Sequence, residues 1–156
     1  MTTSDKLRLK YGDPKTDKSF EKRCLALYVY PDDVRQAIPC LGKSIYCNKD
    51  LWPVYLKTLR DLIAKGLHEE IHSNDECFCI RDIRGVPGQL STHSWALAID
   101  LNPADNPLGV TREQAIARGL KPFTEKFIQV WRDNGWRCGF DFKRCDGMHY
   151  ELSKGL

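Results

Sequence analysis

Nowhere does this chain approach the roughly 20 consecutive apolar residues that a membrane-spanning helix needs, which argues against membrane insertion. Its first 23 residues are polar and charged, without the apolar stretch or small-residue cleavage site of a secretory leader. The expectation is therefore a chain made in the cytoplasm, whose passage to any substrate beyond the membrane depends on something else. No C-x-x-C pair occurs among the seven cysteines, so zinc knuckles and thioredoxin-like redox sites are not expected. An odd number of thiols cannot all pair within one chain. Reduced, buried cysteines are the expected state, with a disulfide formed after release into an oxidising compartment as the alternative. Dense positive charge is missing too: a net charge of +3 is far from the basic stripes of nucleic-acid binders, and no nucleic-acid partner is expected. Repeats, low-complexity tracts and linkers are absent.

What is present is an ordinary globular composition, 42% hydrophobic and 29% charged, in 156 residues. That length suffices for one real core and not for two, so residues 1–156 are read as a single domain, expected to be monomeric. The first ~20 residues are polar enough to suggest a loose arm. Residues 24–30 read as a strand and the following PDDVRQAIP as a short helical turn or loop. A helix is predicted from an N-cap at Asn48 or Asp50 to Gly66, with Trp52, Leu56, Leu59 and Ile63 at helical spacing. Residues 77–83 alternate like a strand, Gly85 to Gly88 form a loop, and residues 95–101 read as a second buried strand. Thr111-x-x-Gln114 is a capping box opening a short helix, and Thr124 caps another that stops at Gly135. The closing GMHYEL is a strand. The layout is α+β, with a small antiparallel sheet flanked by helices.

The chemistry concentrates in two stretches. Ser91-x-His93 is followed by Ala98-x-Asp100, and near the C-terminus stands Asp146-x-x-His149-x-Glu151. Two imidazoles and a carboxylate, with a further carboxylate three residues before the last histidine, are what a hydrolytic zinc site requires: three ligands, an open position for water, and a general base. Fully extended, His93 and Asp100 would lie roughly 23 Å apart at ~3.3 Å per residue, far too distant for one ion. Ser94-Trp95-Ala96 must therefore turn, and if that turn needs positive φ, alanine there costs roughly 1 kcal/mol or more relative to glycine. A turn at Gly147 can aim Asp146 and His149 at one metal. His149 and Glu151 share a strand face, so Glu151 can accept an imidazole N–H or touch substrate.

Singly, each residue has a structural explanation: a histidine at a strand end is usually hydrogen-bonded scaffold, and Asp100 before Asn-Pro suits a turn. A rival motif also exists, His68-Glu69-Glu70-Ile71-His72, which matches the zincin pattern H-E-x-x-H. Gly66 before it and Ser73-Asn74-Asp75 after it leave only about two helical turns, so it is read as a solvated helix end or loop.

The residues from 77 to 152 resemble the D-Ala-D-Ala carboxypeptidase and L-alanyl-D-glutamate peptidase family, which includes the vancomycin-resistance dipeptidases and phage peptidase endolysins. Its pattern S-x-H-x-x-G-x-A-x-D is met by Ser91, His93, Ala98 and Asp100, with Ala96 in place of the glycine. Its D/E-x-x-H is met by Asp146 and His149, and its strand-borne arginine by Arg81, or less well by Arg84. Asn102-Pro103 and Asn106-Pro107 are similar to the phage-type branch. The resemblance implies a Hedgehog/D-Ala-D-Ala peptidase-like fold with one Zn2+ per chain on His93, Asp100 and His149. It also implies Asp146 as the general base and Arg81 as the oxyanion partner. Ser91, Glu151 and Arg84 are further candidates for contacts to the ligands or substrate. The implied substrates are bacterial peptidoglycan stem peptides, the implied setting a phage endolysin acting on the cell wall after release. A bacterial dipeptidase or carboxypeptidase of the same family is the alternative. A Hedgehog-like zinc-containing binding domain is a further one, against which the presence of Asp146 argues.

Overall fold

A capping box opens the chain: the Thr2 hydroxyl accepts from the Asp5 amide at 3.1 Å and the Asp5 carboxylate accepts from the Thr2 amide at 2.9 Å. This starts helix α1, Thr3–Tyr11, in the computed structural model, which describes residues 1–154. The expectation of a loose arm is overturned. Polar composition concealed that the helix docks through Leu7, fully buried, and Ser4, whose buried hydroxyl donates to the Leu90 carbonyl, while the Trp95 indole donates to the Gly12 carbonyl at 2.9 Å and locks the end of the segment. A short helix α2, Phe20–Cys24, then leads into strand β1, Leu25–Val29.

After helix α3, Asp32–Ala37, strand β2, Ser44–Asn48, returns antiparallel to β1 with Leu27 opposite Tyr46. Helix α4, Leu51–Ala64, follows with Gly66 in the left-handed conformation just beyond it. Leu51, Tyr55, Thr58, Leu59 and Leu62 form its buried stripe. Helices α5, Arg112–Ala117, and α6, Glu125–Asp133, begin at Thr111 and Thr124, whose hydroxyls accept amides of the first turn. The stripe of α6 packs Phe127 and Trp131 against Tyr55, Trp136 and Tyr150 in one aromatic core. Two of its polar tips find partners inside, the Trp136 indole donating to Thr58 Oγ1 at 2.9 Å and the Tyr55 hydroxyl lying 3.0 Å from that of Tyr30, whereas Trp131 Nε1 and the Tyr150 hydroxyl are buried without a partner among the described residues.

Residues 77–83 do not form the expected strand. Only β3, Asp82–Ile83, is a strand, and it pairs with β4, Val86–Leu90, through a turn at Arg84-Gly85 in the stretch expected to be a loop. The cause lies opposite. Residues Thr92–Trp95 form one turn of 3-10 helix, which offers no ladder, so the Arg81 amide bonds instead to the Ser94 hydroxyl and the Cys79 amide to the His93 carbonyl. For the same reason the expected strand over 95–101 is shortened to β5, Ala98–Asp100.

The sheet that matters most is β5-β7-β6, with β6 at Arg137–Cys138 and β7 at His149–Glu151. Asp100 lies opposite His149, and Arg137 opposite Glu151. Because side chains alternate, Asp100, His149, Glu151 and Arg137 share one face, while Ile99, Tyr150 and Cys138 enter the core on the other.

Candidate metal centre and cleft

Ser91 accounts for the first half of the motif. Its hydroxyl accepts from the His93 amide at 3.3 Å, capping the 3-10 turn and setting the direction in which His93 leaves the backbone. Ala96 ends that turn at φ 54°, the left-handed conformation, and the chain doubles back into β5. This brings His93 Nε2 to 3.1 Å from Asp100 Oδ1. The register of β7 brings His149 Nδ1 to 3.2 Å from the same oxygen. At the other end, close backbone approach shapes the turn that carries Asp146. A Cβ on Gly139 would lie 1.8 Å from the Asp146 carbonyl oxygen, and one on Gly147 would enter the Phe140 ring. These glycines let the Asp146 amide bond to the Gly139 carbonyl at 2.9 Å while the Asp146 carbonyl accepts from the His149 amide at 2.9 Å.

The outer nitrogen of each imidazole is committed. His93 Nδ1 donates to the Cys77 carbonyl at 2.9 Å; a carbonyl can only accept, so this nitrogen carries the proton and neutral His93 presents a lone pair at Nε2. His149 Nε2 donates to Glu151 Oε1 at 2.9 Å, turning Nδ1 inward in the same way. Glu151 is fixed by the Ser153 hydroxyl on its other oxygen. Thr92, which the sequence did not single out, adds its hydroxyl 3.3 Å from His149 Nε2 and 3.4 Å from Glu151 Oε1.

Nε2 of His93 is buried and has no hydrogen-bond partner among the described residues, despite its 3.1 Å approach to Asp100. Ligand atoms of His93, Asp100 and His149 all lie within 4.8 Å of one another. Tetrahedral ligands at 2.0–2.2 Å from zinc sit about 3.4 Å apart, so the two short separations already match. The donor set, two imidazoles with outward N–H groups bonded and one carboxylate, fits zinc chemically. The electrostatics agree. Burial opposes ionisation of Asp100, but the hydrogen bond from His149 and the close approach of the His93 imidazole outweigh it and hold the carboxyl well below its usual range. Burial likewise opposes charge on His149, yet Asp100 and Glu151, one on each nitrogen, raise it to about 10. The cluster strongly favours positive charge at its centre.

Asp146 behaves differently. Burial pushes its carboxyl up from the ordinary value, and Oδ1 is buried without a hydrogen-bond partner among the described residues. Asp146, Asp100 and His149 line one cleft of about 500 Å³, together with Arg81, Arg84 and Ser4 of α1. The Arg81 guanidinium is held by Glu76 at 3.0 Å and by the Asp82 carbonyl at 3.2 Å; it stands on an irregular segment, not on the strand expected from the sequence. Glu76 also lies 3.7 Å from His93 Nδ1. Arg84 is exposed on the turn between β3 and β4, and its charge acts on Asp146. Neither Glu76 nor the Cys77 carbonyl carried a sequence signal, the first because acids are common in loops, the second because it is backbone.

The His68 to His72 segment takes no part. Leu67–Glu70 form a 3-10 turn, without the i, i+4 face a zincin helix requires, and the His72 amide donates to Asn102 Oδ1 at 2.8 Å. Among the described residues, His93, Asp100 and His149 are the one group of three or more potential ligands that converges.

No curated protein and no solved structure matches the chain. Residues 84–152 match the family described as D-alanyl-D-alanine carboxypeptidase. That stretch carries His93, Asp100, Asp146 and His149 with the strands and turns that bring them together, and it is over this site-bearing part that the chain is similar to the D-alanyl-D-alanine carboxypeptidase family.

Proposed function

We propose that the chain is a zinc peptidase that hydrolyses bonds involving D-amino acids in bacterial peptidoglycan stem peptides, in the role of a phage endolysin. The observation that carries this reading is the convergence of His93 Nε2, Asp100 and His149 Nδ1, each imidazole fixed from behind, beside the unpartnered carboxylate of Asp146. Zinc held by those three side chains would polarise the scissile carbonyl and make water at an open position a nucleophile near neutral pH.

The chain's own groups supply the rest. Asp146, its affinity for protons raised by burial, accepts the proton of the attacking water and passes it to the leaving amine. A carboxylate used only as scaffold would be expected to have its buried oxygen satisfied; the free Oδ1 favours hydrolysis over a zinc-containing binding domain. Arg81 steadies the developing oxyanion: Nε and Nη1 are engaged, and Nη2 makes no hydrogen bond among the described residues. Glu151 and Ser91 act through His149 and His93, which they orient. The endolysin role is supported by the Asn102-Pro103 and Asn106-Pro107 pattern, similar to the phage-type branch.

The test combines metal analysis with product identification. One zinc per chain is expected, lost in His93→Ala and retained in His68→Ala; the opposite pattern would move the site to the His68 to His72 segment. Purified peptidoglycan incubated with the protein should yield new termini, identified by mass spectrometry, at a bond adjoining a D-residue. Intact stem peptides after incubation with zinc-loaded protein would refute the reading.

A further inference from the structure

Four arginines line the cleft: Arg81, Arg84, Arg137 and Arg144. Arg81 is bound to Glu76, and Arg144 Nη2 donates to the Arg84 carbonyl at 2.6 Å. Arg137 is placed differently. Its position opposite Glu151 in the β6–β7 pairing puts it on the face that carries Asp100 and His149. Its guanidinium carbon lies over the Phe142 ring, 5.0 Å from the centroid. Only Nη1 is engaged, by Glu151 Oε2 at 3.4 Å and Ser153 Oγ at 3.5 Å, both at the long limit of hydrogen bonding. Nε and Nη2 have no partner among the described residues, and the side chain is 45% exposed.

An aromatic ring beneath the guanidinium and a carboxylate at one end hold its plane while the Nε–Nη2 edge stays open. That edge matches a carboxylate, which accepts two parallel N–H bonds from it. Of the three cleft acids, Asp100 is committed to His149 and Glu151 to His149 and Ser153, while Asp146 makes no ion pair with Arg137 or any other described residue. Glu151 itself reaches Arg137 only through Nη1, leaving the bidentate edge for an incoming group.

We propose that Arg137 is a specificity-determining residue that docks a free carboxylate of the substrate, so that the cleft selects acidic peptides. This rests on the peptidase reading above. The carboxylate comes from the peptide's C-terminus or from an acidic residue within it; both present the same chemistry to the guanidinium.

The test uses a tetrapeptide containing D-glutamate in three forms: the free acid, the C-terminal amide, and the form with the glutamate's free carboxyl amidated. Binding to zinc-loaded Asp146→Asn protein is measured by calorimetry, and kcat/KM on the unmodified protein. One amidation should weaken binding roughly ten- to hundredfold, and the form that suffers identifies the source of the carboxylate. Adding Arg137→Gln should shrink that penalty to below about twofold, with Arg137→Lys intermediate because it keeps the charge and loses the fork. Comparing acid with amide inside each variant cancels any general loosening of Glu151. Equal binding of all three forms, a penalty that survives Arg137→Gln, or no binding at all would overturn the proposal. Cleavage without an amidation penalty overturns this inference and leaves the peptidase reading; an Arg137-dependent penalty without cleavage does the reverse.

Discussion

Ala96 occupies the position where the family pattern has glycine, and its φ of 54° and ψ of 38° make Ala96→Gly a quantitative test of why alanine is tolerated. The left-handed conformation costs alanine about 1–2 kcal/mol, which glycine would relieve. Two terms oppose the gain. The methyl group is fully buried, so its removal costs about 0.8 kcal/mol of transfer free energy. Glycine also adds about 0.4–1 kcal/mol of chain freedom to the unfolded state. The terms nearly cancel, and Ala96→Gly should change stability by less than about 1 kcal/mol. Zinc affinity should hardly move, because the turn is fixed by backbone partners that glycine keeps: the Ala96 amide donates to the His93 carbonyl at 3.0 Å and its carbonyl accepts from the Asn48 amide at 3.2 Å. Ala96→Val should cost more than about 2 kcal/mol, adding two methyl groups to a filled site at a φ that β-branched residues avoid. Urea denaturation of the metal-free proteins measures stability, and competition with a chelator measures zinc. A gain of 2 kcal/mol or more in Ala96→Gly, or a large rise in its zinc affinity, would refute the reasoning and show that the turn is strained in a way alanine does not relieve.

What could be read from the sequence was local. Thr111 and Thr124 announce their helices because a cap and its partner amide lie within one turn of each other. The spacing of His93, Asp100, Asp146 and His149 demands turns at Ala96 and Gly147, and the chain does fold back at both. The failures lie where a segment's partner is distant. Residues 77–83 alternate like a strand, but the segment beside them is a helical turn, so Ser94 replaces a ladder bond with its hydroxyl. Helix α1 is polar along most of its length and is held by Leu7 and by Trp95, more than 80 residues away in sequence. Arg137 was invisible as a cleft residue because its facing depends on pairing with Glu151, which no spacing within β6 reveals.

Asp146→Asn should retain zinc and fold while losing roughly 10²–10⁴-fold in kcat, since an amide cannot take the proton of the attacking water; near-normal turnover would remove Asp146 from the mechanism. Arg81→Ala should lower kcat/KM on wall peptides without releasing zinc, whereas Arg84→Ala, on the exposed turn, should have the smaller effect; the reverse ranking would transfer the oxyanion role to Arg84. The last prediction concerns protons. His149 is raised from 6.5 to about 10 in the folded chain, against burial, by Asp100 and Glu151. A base raised in this way contributes stability that is fully present below its unfolded value and is lost as pH rises toward the folded one. Metal-free protein should therefore lose stability between pH 6.5 and about 10, while zinc-loaded protein should not follow that course, because the ion takes the place of the proton at Nδ1. Zinc binding near pH 8 should release close to one proton from His149, read from calorimetry in buffers of different ionisation enthalpy. If no proton is released, or if metal-free protein gains stability across that interval, then His149 is already neutral, and the two carboxylates do not create the field from which the affinity for a cation was argued.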